Sequence, residues 1–108
     1  RLVWLSSYGV GETIRTASPL QRLMYRTVLR STYADKAASE RTLRASDLEW
    51  TIVYPTTLTN KPARGAYRAA ETIRMKGMPS ISRADVGSFL HKAAHDSEWI
   101  RRDAVITD

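Results

Sequence analysis

The chain contains no cysteine, which excludes a disulfide framework and a cysteine-ligated zinc site and fits a cytoplasmic protein. It has no long apolar run. Leu2–Leu5 and Thr51–Tyr54 span a few residues each, far short of the roughly 20 that a membrane helix needs. No secretory leader pattern opens it, since Arg1 leads straight into an apolar stretch that reads as a strand. There is no initiator methionine either, so Arg1 reads as a cut in a longer chain. In the first half of the chain like charges do not run together: Arg22, Arg26, Arg30, Asp35, Lys36, Glu40, Arg41 and Arg44 are interleaved, and no block of like charge marks a nucleic-acid-binding tail. Also missing is a glycine-rich phosphate loop. Gly9 and Gly11 form a lone G-x-G after a strand, with no third glycine and no helix start behind them.

What remains is a chain of 108 residues, 43 % hydrophobic, with a formal net charge of +6. That is one domain at most, globular rather than disordered, with a somewhat basic and solvated surface.

Leu2-Val3-Trp4-Leu5 has the unbroken apolar character of a strand buried on both faces of a parallel sheet. Ser18-Pro19 is a helix start, a capping hydroxyl followed by proline at the first helical position. Leu20, Leu23, Met24, Thr27 and Val28 then recur as one helix face. A break near Ser31-Thr32 and a second helix from Asp35 to Ala45 follow, with Ala34, Ala37 and Ala38 allowing close packing. Leu48 to Tyr54 is β-branched and aromatic and stops at Pro55, the second strand. Strand, helix, strand over this length is a βαβ unit with parallel strands. Thr56 to Arg64 reads as loop, and Gly65 to Met75 is compatible with a strand or a short helix. Ser82 and Asp85 form a near capping box ahead of a helix with Val86, Phe89, Leu90, Ala93 and Ala94 inward. Ala104 to Thr107 reads as a third strand. Trp4, Trp50, Tyr54 and Trp99 are expected to pack in the core.

Open α/β sheets bind ligands at the carboxyl ends of their strands. That rim would collect Ser6-Ser7-Tyr8 and Tyr54-Pro55-Thr56-Thr57, two hydroxyl-rich strand ends able to bond a carbonyl, carboxamide or phosphate; the same residues are also ordinary turn formers. His91 and His95 lie four apart near Glu98. Lys92 stands where a hydrolytic zinc helix needs glutamate, so no metal site is expected there.

The run from Tyr33 through Asp35-Lys36 and Glu40 to Leu48-Glu49-Trp50-Thr51-Ile52-Val53-Tyr54-Pro55 resembles the lysine helix and sixth strand of atypical short-chain dehydrogenase/reductases. The NmrA-like proteins and the biliverdin-IXβ/flavin reductase group carry similar runs. Leu5-Ser6-Ser7-Tyr8-Gly9 resembles their fifth-strand end. Gly65-Ala66-Tyr67 resembles their late hairpin, and Ile81 to Val86 the start of their following helix. These matches occur in family order over nearly the whole chain. The resemblance implies an α/β fold, the C-terminal part of a Rossmann-like doubly wound parallel sheet of about three strands with flanking helices. Residues 1–108 would form a single partial NAD(P)-binding domain lacking the glycine-rich dinucleotide motif.

By the same resemblance Ser6 and Ser7 lie near the nicotinamide and the substrate carbonyl, and Lys36 contacts the nicotinamide ribose. Pro55 and Thr56 match the loop whose backbone runs beside the nicotinamide carboxamide, and Tyr54 and Thr57 join them as cofactor-binding residues. The implied function is NAD(P)H-dependent reduction of a small carbonyl, quinone or flavin-like acceptor, with NADP or NAD bound weakly or not at all by this chain alone. A non-catalytic NmrA-like dinucleotide sensor or scaffold is the alternative. The sequence departs from the family at three places. Tyr33 and Lys36 have two intervening residues rather than three, Tyr54 stands where arginine is usual, and Thr56 where glycine is usual. The edge of the first strand, bare without a fourth-strand neighbour, is expected to be covered by a second copy, by an N-terminal half or by a rearranged helix.

Overall fold

The computed structural model describes residues 1–8, 16–27 and 30–108, with side chains 24–27 and 30–34 left aside. Its elements run β1 (Leu2–Leu5), α1 (Pro19–Thr27), α2 (Arg30–Arg44), β2 (Trp50–Pro55), β3 (Thr57–Thr59), β4 (Arg68–Ala70), β5 (Ser80–Ser82), α3 (Arg83–His95), a 3-10 turn at Ser97–Trp99 and β6 (Arg102–Thr107). The main sheet has the order β1-β2-β6-β4. Its first three strands are parallel, with Leu5 opposite Val53 and Val53 opposite Ala104. β4 joins antiparallel, Arg68 opposite Thr107. β3 and β5 form a separate parallel pair.

Strand alternation sends neighbouring residues of β2 into different cores. Trp50, Ile52 and Tyr54 pack with Val105, Tyr8, Ala17 and Met75 against Ala37 and Leu43 of α2. Val53 joins Ile81, Val86, Phe89, Ala93, Trp99, Ala104 and Ile106 on the α3 side. Every residue of β2 is buried. The sheet is therefore covered on both faces, as expected of a doubly wound arrangement. Tyr67, Phe89 and Trp99 meet edge-to-face at centroid distances of 6.0 and 5.5 Å, a favourable aromatic geometry in the second core.

Capping fixes the helix starts. Ser18 Oγ accepts from Gln21 N–H (3.2 Å), and Gln21 Oε1 accepts from Ser18 N–H (3.0 Å), a reciprocal capping box. At α3, Ser82 Oγ accepts from Asp85 N–H at 3.0 Å. The far end of α3 is closed by Arg1, whose guanidinium donates to the carbonyls of Ala93 and Asp96 at 2.9 Å each.

Several expectations need correction. The α1 face carrying Leu20 and Leu23 is turned outward (56 % and 60 % exposed), because the capping bond draws Gln21 inward instead. Met24 and Thr27 of that stripe have no described side chain, and Val28 lies outside the described residues. The second helix starts at Arg30, not Asp35, so Ser31-Thr32 is helical. Ala38 and Ala94 are exposed. β1 is not buried on both faces: Leu2, Trp4 and Leu5 are 36, 37 and 45 % exposed, since it has β2 on one side and no described strand on the other. Trp4 is thus not a core residue, whereas Trp50, Tyr54 and Trp99 are. The supposed loop Thr56–Arg64 includes β3, and the undecided stretch after Gly65 contains a strand, β4. No described helix is long and apolar enough to cross a membrane.

Candidate functional site

The β1–β2 ladder continues past the end of β1. Ser6 N–H donates to Val53 O at 2.7 Å and Tyr8 N–H to Pro55 O at 3.0 Å. This ladder holds the serine pair beside the Pro55 turn, at the carboxyl rim of the parallel strands where such sheets bind ligands. The two hydroxyl-rich strand ends read from the sequence are therefore neighbours.

Ser7 is half-buried and its Oγ accepts from Lys36 Nζ at 3.0 Å. α2 thus brings its lysine across to the end of β1. A serine hydroxyl accepting from an ammonium keeps its own proton free to donate, and the adjacent cation strengthens that donation. Ser6 is 4 % exposed and its Oγ finds no hydrogen-bond partner among the described residues. A buried hydroxyl without a partner is uncommon in folded proteins, and Ser6 shares that status with Glu40 Oε2 and Trp50 Nε1 among the described residues.

The other side of the rim is more committed. Thr56 is buried; its N–H donates to Ile106 O (3.2 Å) and its hydroxyl to Thr107 Oγ1 (2.9 Å). Thr57 is exposed and passes the chain into β3 through its N–H bond to Pro79 O at 3.3 Å. Pro55 is buried. Tyr54 is 1 % exposed, and its ring points away from solvent into the α2 side of the core. Its hydroxyl donates to Glu40 Oε1 at 2.7 Å and accepts from Arg44 Nη2 at 2.6 Å. Arg44 in turn pairs with Asp103 at 2.9 Å. Burial, and then the hydrogen bond and negative charge of Glu40, push the Tyr54 phenol well above its ordinary value. The side chain of Tyr54 is thus a bolt between α2, β2 and β6, with no free group for a ligand. The side chain of Tyr33 lies outside what is described.

Sequence reasoning missed Glu40 and Arg44 as a structural pair. Their signal was present: Lys36, Glu40 and Arg44 recur every four residues on one face of α2. Tyr8 was named only as part of the strand end. It is 1 % exposed and its hydroxyl lies 2.5 Å from Thr16 Oγ1, with burial raising its pKa. Asp85 was read as a capping residue only. Its carboxylate also accepts from the backbone N–H groups of Arg64 and Gly65, at 3.0 Å each, and from Ser82 Oγ. His91 and His95 are exposed, and no described group of three or more His, Asp or Glu residues is arranged to hold a metal.

Solved structures share this arrangement. The chain superposes on a wide-type short-chain dehydrogenase/reductase from Veillonella parvula in complex with NADP with TM-score 0.83 and 20 % identity, covering 100 % of this chain and 50 % of that one. ChuY from E. coli CFT073 matches with TM-score 0.81 and 22 % identity, over 98 % and 51 %. ChuY from E. coli O157:H7, described as an anaerobillin reductase, matches with TM-score 0.79 and 20 % identity, over 96 % and 48 %. At these identities the likeness is one of fold, and the chain spans about half the length of each neighbour. No curated protein sequence matches it. The NAD(P)H-binding family model matches residues 1–97. With a parallel sheet wrapped on both faces and a serine–lysine contact at its carboxyl rim, this chain belongs to the NAD(P)H-binding family.

Proposed function

We propose that this chain forms the nicotinamide and acceptor side of an NAD(P)H-dependent reductase acting on a small carbonyl, quinone or flavin-like acceptor. The observation that carries the reading is the Lys36–Ser7 contact beside the buried Ser6 hydroxyl, which has no partner among the described residues. Two hydroxyls and an ammonium converge at the strand ends, the chemistry needed to hold a ribose and a carbonyl oxygen. The dinucleotide, when bound, supplies the hydride. Ser7, polarised by Lys36, donates a hydrogen bond to oxygen as negative charge grows there. Ser6 offers a second donor from a dry position, where such a bond is strongest. The bonds from Ser6 N–H to Val53 O and from Tyr8 N–H to Pro55 O fix the serine pair against the end of β2. The name of the E. coli neighbour, a reductase, and the NADP in the Veillonella structure agree with this reading.

The diphosphate grip belongs, in this reading, to a glycine-rich half that lies against the open edge of β1, either from the same protein or as a separate chain; a second copy is the other occupant. Leu2, Trp4 and Leu5 supply apolar surface for it, and the β1 edge, unpaired among the described residues, supplies the ladder.

Reduced nicotinamide mononucleotide tests the site without requiring that grip. Titrated into isotope-labelled chain, it is expected to shift the amide signals of Ser6, Ser7 and Thr56 and the Lys36 side chain, and Lys36→Ala is expected to weaken the effect. Shifts confined to other parts of the molecule, or none at millimolar ligand, would remove the proposal.

A further inference from the structure

The charge of this protein is unevenly placed. Between residues 60 and 83 stand Lys61, Arg64, Arg68, Arg74, Lys76 and Arg83 against the single acid Glu71. The remaining residues carry 11 basic and 10 acidic side chains, so nearly all of the +6 resides in this one segment. The six basic residues are exposed, and among the described residues none of them makes an ion pair. Glu71 is taken by Arg102 at 2.6 Å.

This segment borders the rim. Met75, 5 % exposed, packs with Tyr8 and Tyr54, and its N–H donates to Thr16 O at 3.0 Å. Thr16 meets the Tyr8 hydroxyl, and Tyr8 follows Ser6-Ser7 directly. Ser18 Oγ donates to Gly77 O at 2.6 Å, so the backbone on both sides of Lys76 is pinned. Arg74 and Lys76 therefore flank a buried residue adjoining the serine pair. They cannot drift far from it. Arg68 sits opposite Thr107 at the carboxyl end of β6. On the far side of the segment the carboxylate of Asp85 clamps the amides of Arg64 and Gly65, the latter at a φ of 70°. A cationic stretch held at several points is a better recognition surface than a free one, because less order has to be gained on binding.

Resting on the function proposed above, we infer that the acceptor carries an acidic group (phosphate, carboxylate or sulfonate) which Arg74 and Lys76 recognise at the mouth of the site. The flanking cations would orient the acceptor's reducible ring toward Ser6 and Ser7 by holding its far end. The same chemistry is present in the diphosphate of a dinucleotide, and the test separates the two sources.

FMN and riboflavin share one ring system and differ by a phosphate. By equilibrium dialysis at low ionic strength, the chain is expected to bind FMN about fivefold more tightly than riboflavin, the gain that one or two exposed ion pairs supply. The preference should shrink in 0.3 M salt. Arg74→Gln with Lys76→Gln should abolish it, while Lys92→Gln, which removes an exposed charge from α3, should leave it intact. Equal binding of the two flavins, no FMN binding, or a preference that survives the double substitution would overturn the inference. So would ADP-ribose competing with FMN and losing affinity equally in the double variant, since the cations would then serve the dinucleotide. A short DNA duplex bound more tightly than FMN through the same two residues would also overturn it. The nicotinamide mononucleotide titration reads Ser6, Ser7 and Lys36 independently, so the reductase reading stands or falls separately.

Discussion

At the scale of single residues, two buried groups make the sharpest predictions. Tyr54→Phe leaves the buried Glu40 Oε1 without its donor, while Arg44, about a third exposed, keeps Asp103. It should cost about 1–3 kcal/mol in chemical denaturation, the usual penalty for stranding buried polar groups. Because the folded-state phenol is raised above its unfolded value near 10, the protonated form carries the stability. That contribution is complete below about pH 10 and declines as the pH climbs further. An alkaline unfolding curve should therefore flatten in the Phe variant. Asp85 behaves in the opposite sense. The Arg64 and Gly65 amides hold its carboxyl below the ordinary carboxylate value, so its contribution is present above about pH 4 and is lost as acid protonates it in the folded state. Asp85→Asn should be less stable at neutral pH, where one amide N–H meets a donor, and should show a shallower loss of stability as the pH falls below about 4. Unchanged acid dependence would count against the clamp.

At the scale of elements, the capping boxes are separable from the packing. Ser18→Ala removes the acceptor for Gln21 N–H and the donor to Gly77, and should destabilise the fold by about 1–2 kcal/mol. The elements also show what a sequence can and cannot declare. β2 was legible because every position is buried and Pro55 ends it. Ser18-Pro19 and Ser82-x-x-Asp85 were legible because capping is local chemistry. The rim was legible through family order as much as through residue type: Ser6, Ser7, Lys36 and Pro55 do come together. The orientation of α1 was not. Leu20 and Leu23 have the spacing of an inward face, yet a tertiary choice, Gln21 turned inward, decides otherwise. β3, β4 and β5 have three residues each, too short for alternation to show, and exist through pairings made across 20 residues or more. Tyr54 was expected both in the core and, by resemblance, at the cofactor; its side chain takes the core place, on the α2 face of β2.

At the scale of the molecule, the open edge is the main feature left unsatisfied. Among the described residues β1 pairs on one side only and carries three half-exposed apolar side chains. Leu5→Lys should suppress self-association or binding of a glycine-rich half, measured by light scattering across a concentration series, with little effect on the fold. A chain monomeric at every concentration, and indifferent to such a half, would remove that assignment. The two cores have a related consequence. Ile52 and Val53 are adjacent in sequence but belong to opposite layers, and both are fully enclosed. The amides of β2 lie between β1 and β6, beneath side chains from both cores. Their exchange should report global opening, while β1 exchanges from its bare side long before. A strand expected to exchange slowly thus lies beside one expected to exchange fast, and the serine pair sits where they meet.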